Sequence, residues 1–179
     1  MNPSLSALVV MGVAGCGKSV VGSAIAARSG GRLIEGDAFH PAENIQKMSA
    51  GTPLDDNDRA GWLVRLGQEL QASIQAGERP ILTCSALKRR YRETLRAAVP
   101  GLGFVFLELT PAEAEKRVLA RPGHFMPASL IDSQFAALEA PHGEPLTLAL
   151  DASQSIDTLA ERVHAWLKPH GEQALARIA

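Results

Sequence analysis

A chain of 179 residues, 46% hydrophobic and 21% charged, is long enough for one domain with a full core and leaves little for a second. Its 18 Lys and Arg against 19 Asp and Glu give a net charge of -1, which argues against global recruitment to nucleic acid or an anionic membrane and favours small-molecule chemistry. No apolar stretch approaches transmembrane length, no basic region with a cleavable apolar segment opens the chain, and Cys16 and Cys84 show neither a disulfide framework nor metal spacing, so a reduced cytoplasmic setting is expected.

The first apolar run, residues 5–11, reads as a buried strand and leads into Gly12-Val13-Ala14-Gly15-Cys16-Gly17-Lys18-Ser19. This is a complete GxxxxGK[ST] phosphate loop between a strand and an alanine-rich helix over 18–29, the setting that confirms the pattern. Glycines let the backbone turn its N–H groups inward, the helix N-terminus adds partial positive charge, and Lys18 neutralises phosphate oxygens. Ser19 supplies a hydroxyl for Mg²⁺. The donor side of a phosphoryl transfer is thereby indicated; the acceptor has to be sought elsewhere.

A second strand over 33–35 is closed by Asp37. Ligands of a parallel sheet gather at the carboxyl ends of its strands, so Asp37 is a candidate to orient an acceptor hydroxyl and take its proton. The plainer alternative is a cap for the short helix beginning at Pro41. Glu35, two residues earlier, is expected to turn away from Asp37 unless the strand has already ended. No Asp ends the third strand, so a conventional Walker B carboxylate is missing, and Glu35 or Asp37 is left to support Mg²⁺ through water. His40 is either a polyol ligand or a polar residue before Pro41. A long helix over 56–75 follows, capped by Asp55 or Asp56 and ended by Gly77. Capping and dipole complementarity account for most of the acids at 55, 56 and 58, whereas Arg59 opposes the dipole and suggests an anionic partner; Trp62 and Leu63 are expected in the core.

The third strand covers 81–84, and a helix over 86–98 is expected with Ser85 as its cap. Lys88 and Arg92 are four residues apart and share a face, suited to one carboxylate or phosphate, or to a plain solvated basic face together with Arg89 and Arg90. After a fourth strand over 104–109, a helix over 111–120 carries Arg117 and Arg121 on one face, where they can stack on a base and clamp phosphates, or pair with Glu113. Residues 121–127 place two prolines, a glycine and His124 between helices, either as a lid that keeps water from the phosphate or as an interhelical turn. Helices over 127–138 and 156–167, a strand over 146–150 and a frayed tail after Pro169 complete the chain. Strands alternating with helices predict an α/β three-layer fold, with about five parallel strands and helices on both faces.

The string Gly36-Asp37-Ala38-Phe39-His40-Pro41-Ala42-Glu43-Asn44-Ile45-Gln46-Lys47-Met48, with Gly51-Thr52-Pro53-Leu54-Asp55-Asp56-Asn57-Asp58-Arg59 and Trp62-Leu63, resembles the gluconokinase family. So do Cys84-Ser85-Ala86-Leu87-Lys88 with Tyr91-Arg92, and His124-Phe125-Met126 with Ser133-Gln134-Phe135 and Leu138-Glu139. These stretches cover most of the chain in order. The resemblance implies ATP- and Mg²⁺-dependent phosphorylation of D-gluconate to 6-phospho-D-gluconate, on the fold of shikimate and adenylate kinases. It implies one domain with a lid near 121–127, a substrate segment near 37–60, and often a homodimer. Carried onto matching positions, Gly12 to Ser19 hold the nucleotide, Lys18 meets phosphate and Ser19 meets Mg²⁺. Asp37 takes the acceptor hydroxyl, Arg117 lies near adenine and Arg121 in the lid. Arg59, Lys88 and Arg92 are the candidates for the gluconate carboxylate, and His40, His124 and Gln134 for further substrate contacts. Glu35 departs from the Asp expected at its position. A shikimate-like acid or a nucleoside monophosphate as acceptor are alternatives, as is a nucleotide-dependent switch, for which the guanine-specificity segment NKxD is missing.

Overall fold

The computed structural model describes residues 4–121 and 128–175. Its centre is β1 (Ala7–Met11), flanked by β3 (Pro80–Thr83) and β4 (Leu102–Glu108), with β2 (Arg32–Glu35) and β5 (Thr147–Asp151) outermost, in the order β2-β3-β1-β4-β5. All four pairings are parallel, with Val9 opposite both Leu82 and Phe104. A parallel sheet covered on both faces requires strands that are apolar on both, and β1 meets this with every residue buried.

Alternation along β1 divides the core. Leu8 and Val10 pack with Val21 and Ile25 of α1 (Lys18–Ser29), Ala114 and Val118 of α5 (Pro111–Leu119), Ile131 of α6 (Ala128–Ala137), and Leu159 and Val163 of α7 (Ile156–Leu175). Ala7, Val9 and Met11 face the other way, onto Trp62, Leu66 and Leu70 of α3 (Asp56–Gln75) and Tyr91 and Leu95 of α4 (Arg89–Ala98). Each large aliphatic side chain so removed from water contributes about 1.5–3 kcal/mol. Trp62 and Leu63 are core residues, as expected.

The helix ends are chemically specified. Asp55 caps α3 in a reciprocal box with Asp58, and Thr110 caps α5 in another with Glu113, which occupies Glu113 in capping. The fourth helix differs from expectation. Ala86 has φ 45°, a left-handed conformation that keeps residues 85–88 out of the helix, so α4 starts at Arg89. Ser85 is not its cap: the Ser85 carbonyl accepts the Gly12 N–H, and the first N–H of α4, on Arg89, goes to the Glu139 carboxylate at 2.5 Å. The last helix also runs on through Pro169 to Leu175, beyond the expected end at 167. Among the described residues no helix is long and apolar enough to cross a membrane.

Candidate active site

The phosphate loop leaves the carboxyl end of β1 and closes on itself. Gly12, at φ 147°, has no room for a side chain: a Cβ would lie 2.7 Å from the Cys16 sulfur and 2.8 Å from the Leu107 carbonyl. Cys16 is 1% exposed and serves as packing under the loop. Lys18 Nζ folds over the loop and donates to the carbonyls of Gly12 and Val13, each at 3.1 Å. The Ala14 N–H donates to Gln134 Oε1 at 2.7 Å, so α6 is tied directly to the phosphate loop. Gln134, expected only as a substrate contact, therefore touches both sides of the crevice.

Beside the loop, β2 stops at Glu35, and the chain enters a 3-10 turn, Gly36–Phe39. Gly36 passes so close to the Thr83 carbonyl that any Cβ there would overlap it. Glu35 is the last residue of β2, and a pleat of period two puts positions two apart on one face, so the expectation that Glu35 turns away from the site does not hold. Its Oε2 accepts from Ser19 Oγ at 3.0 Å and from Thr83 Oγ1 at 2.6 Å. Thr83 closes β3 where a Walker B Asp was sought, and it buttresses Glu35. Three oxygens thus meet where the loop turns into α1, a donor set that suits a hard divalent cation.

Asp37 lies past the end of β2 with its side chain 85% exposed. It shares its surroundings with two cations: Asp37, Lys18 and Arg59 all act electrostatically on the Cys84 thiol, which burial above all pushes up to about 12. His40, read either as a polyol ligand or as a polar residue before Pro41, is largely enclosed. Its ring is 4% exposed and stacks on Trp62 with centroids 4.0 Å apart at 16°, leaving little edge for a substrate.

A cavity of about 90 Å³ opens between the α2–α3 region, the loop before α4 and α6, where α2 is Ala42–Ser49. Its polar lining is Arg59, Lys88, Tyr91, Ser133 and Gln134, over an apolar floor of Met48, Leu54, Leu87 and Leu130. Arg59 and Lys88 sit over the Tyr91 ring, 5.7 and 5.8 Å from its centroid. They differ in partners. Lys88 Nζ is paired at 2.8 Å with Asp56, whose carboxylate also accepts from Arg90 and from the Tyr91 hydroxyl. Hydrogen bonds from Lys88 and then Tyr91 hold the Asp56 carboxyl down at about 2. Burial, with Asp56 next, pushes the Tyr91 hydroxyl up. The Arg59 side chain, among the described residues, makes no hydrogen bond or ion pair and only rests over the Tyr91 ring.

Arg92 departs from expectation altogether. It shares no open face with Lys88, because its guanidinium is fully buried and all its donors are spent. They go to the carbonyls of Ala86, Leu87 and Glu139 and, as a fork, to Glu144 at 2.6 and 2.9 Å. Burial pushes the Glu144 carboxyl up, but bonds from Arg92 and Arg96 prevail and hold it down. Arg92 therefore stands behind the cavity wall, holding Leu87 by its carbonyl, and has no donor left for a substrate. Glu144, in a loop with no recognisable pattern, was invisible in the sequence.

On the far side of the phosphate loop, Arg117 spans from the Gly15 carbonyl at 3.4 Å to the Ala152 carbonyl at 2.8 Å. It thus joins the loop to the turn after β5, where Ser153 bonds hold the Asp151 carboxyl down. Arg121 is exposed at the edge of the described residues, four positions on from Arg117. His124 and the remainder of the expected lid, 122–127, lie outside the described residues.

Residues 8–145 match the AAA domain family. A gluconokinase of Gluconobacter oxydans is 44% identical over 156 residues, covering 87% of this chain and 88% of that one. Among solved structures, a gluconokinase from Sinorhizobium meliloti is 45% identical with a TM-score of 0.85, covering 96% of this chain and 97% of that one. A sugar kinase from a Janibacter species is 43% identical with a TM-score of 0.87, covering 92% and 95%. The phosphate loop and every residue lining the cavity lie inside the matched residues 8–145, and the chain belongs to the gluconokinase family of nucleotide-using P-loop kinases.

Proposed function

We propose that the protein transfers the γ-phosphate of ATP to the 6-hydroxyl of D-gluconate. The observation that carries the acceptor is the pairing pattern in the cavity: among the described residues, Lys88 is neutralised by Asp56, while Arg59 stands without an acidic partner beside an apolar floor. A site of that kind fits a small molecule with one carboxylate and a polyol tail, the carboxylate going to the Arg59 fork. Ser133 and Gln134 offer hydrogen-bonding groups to the hydroxyls.

In this reading the phosphates go to the loop amides and to Lys18, which leaves the Gly12 and Val13 carbonyls to reach them; membership of a P-loop kinase family supports it. Asp37 orients the acceptor hydroxyl and accepts its proton. Arg117 lies where it can pack against adenine, and Arg121 adds charge to the clamp on the phosphates. Ser19 directly, and Glu35 through water, would hold Mg²⁺, which neutralises phosphate charge when bound.

An ADP-release assay against gluconate, shikimate and AMP tests the reading. Turnover with gluconate well above the other two is expected. Equal or better turnover with shikimate or AMP, or ADP release independent of any acceptor, would overturn it.

A further inference from the structure

The Asp37 carboxylate is only weakly restrained. No side chain hydrogen-bonds its carboxylate among the described residues, and the polar atom beside it is His40 Nε2, 3.8 Å from Oδ1. What surrounds His40 is unusually well determined. Trp62, stacked on the imidazole, is itself pinned by its indole N–H to the Gly36 carbonyl at 2.8 Å. Asn44, 2% exposed on α2, lies on the other edge.

The Asn44 amide settles the imidazole's protonation. Its Nδ2 is 2.8 Å from the Asp58 carbonyl, and a carbonyl only accepts, so the amide has one allowed orientation. The same Nδ2 is 3.3 Å from His40 Nδ1. Its second N–H therefore falls to His40, and Nδ1 must present a lone pair. A neutral imidazole then carries its proton on Nε2, the nitrogen that faces Asp37. Burial above all holds the His40 pKa down, consistent with a neutral ring.

We propose that His40 is a positioning residue for phosphoryl transfer: Asn44 fixes its tautomer and Trp62 its plane, so that Nε2–H holds Oδ1 of Asp37 and leaves Oδ2 for the acceptor hydroxyl. This rests on the reading that Asp37 receives the acceptor's proton. A neutral donor suits the task, because it orients the carboxylate without the full charge that would lower its basicity. The 3.8 Å separation shortens to a hydrogen bond as the carboxylate turns toward bound acceptor, the usual behaviour of catalytic contacts in a ligand-free site.

Two measurements on the full chain test the proposal. Proton–nitrogen correlation spectra of the imidazole are expected to show the Nε2–H tautomer in the wild type and a mixture in Asn44→Ala; an Nδ1–H ring in the wild type overturns the proposal. In kinetics, His40→Phe keeps the stack but removes the donor, and kcat is expected to fall about 10-fold with both KM values within about twofold, the loss of one hydrogen bond felt in the transition state. His40→Gln, whose amide nitrogen reaches the Nε2 position, is expected to recover most of that loss. A raised gluconate KM at unchanged kcat in His40→Phe, or His40→Gln no better than Phe with both variants melting like the wild type, overturns it. If the wild type fails to phosphorylate gluconate, the functional reading falls instead; the tautomer, read from the spectrum alone, still decides this proposal.

Discussion

The phosphate loop is eight consecutive residues, with Lys18 bonded to carbonyls five and six positions back and bracing from Ser85, Arg117 and Gln134 added from outside. The cavity opposite takes its lining from three separate segments between Met48 and Ala137, and its charges are balanced by residues remote in sequence, Lys88 by Asp56 and Arg92 by Glu144. The loop is contiguous in sequence and the proposed acceptor cavity is not. Substitutions on the donor side should therefore act on chemistry with little effect on folding, whereas those behind the acceptor cavity should act on stability, and those inside it on KM.

The largest expected effect falls where the two sides meet. Asp37→Asn is expected to lower kcat by roughly 10²–10⁴-fold while ATP binding, followed by calorimetry, survives; near-wild-type turnover would remove Asp37 from the chemistry. Next comes the region behind the cavity wall. Arg92→Met leaves Glu144 buried without its main partner and is expected to cost roughly 3–5 kcal/mol in urea unfolding. A loss under about 1 kcal/mol would show that Arg96, also 2.8 Å from Glu144, compensates.

Inside the cavity, Arg59→Ala is expected to raise the gluconate KM about 10–100-fold, the equivalent of a charged hydrogen-bonded contact, with the ATP KM unchanged. If Lys88→Ala produced the larger rise, the assignment of the carboxylate to Arg59 would be wrong. Asp56 gives a smaller, pH-dependent effect. Its folded value of about 2 lies below the ordinary 3.8, so its stabilisation is complete above about pH 4 and is lost as the pH falls toward 2. Urea midpoints of wild type and Asp56→Asn should converge over that interval; a constant gap would refute the linkage. Smallest of all, Cys16→Ser should change kcat by less than about threefold, since phosphate is met there by backbone N–H groups. A collapse in kcat with normal folding would give the thiol a role in the loop.

Much of this was legible because it is local. GxxxxGK[ST] after an apolar run needs only adjacent residues to form, and alternating strands and helices limit the sheet to few arrangements. The caps at Asp55 and Thr110 likewise span three residues. Where the sequence misled, a distant group decided. Arg92 looks like Lys88 along a helix, but the left-handed Ala86 starts that helix late, and Glu144, 52 residues on, draws the guanidinium inward. Glu35 was read as turned away, but as the last residue of β2, in register with Thr83, it reaches both Thr83 and Ser19.

By itself, then, the sequence determined the phosphate loop, the parallel α/β sheet and the order of the motifs, because each rests on backbone preferences and periodicities that operate over a few residues. Only the tertiary structure decided which cation stands ready for an acceptor, which is buried behind the wall, and that Asn44 and Trp62 grip His40. Those outcomes depend on which charges and donors are used up by partners far along the chain, and pairing at a distance leaves no local pattern to read.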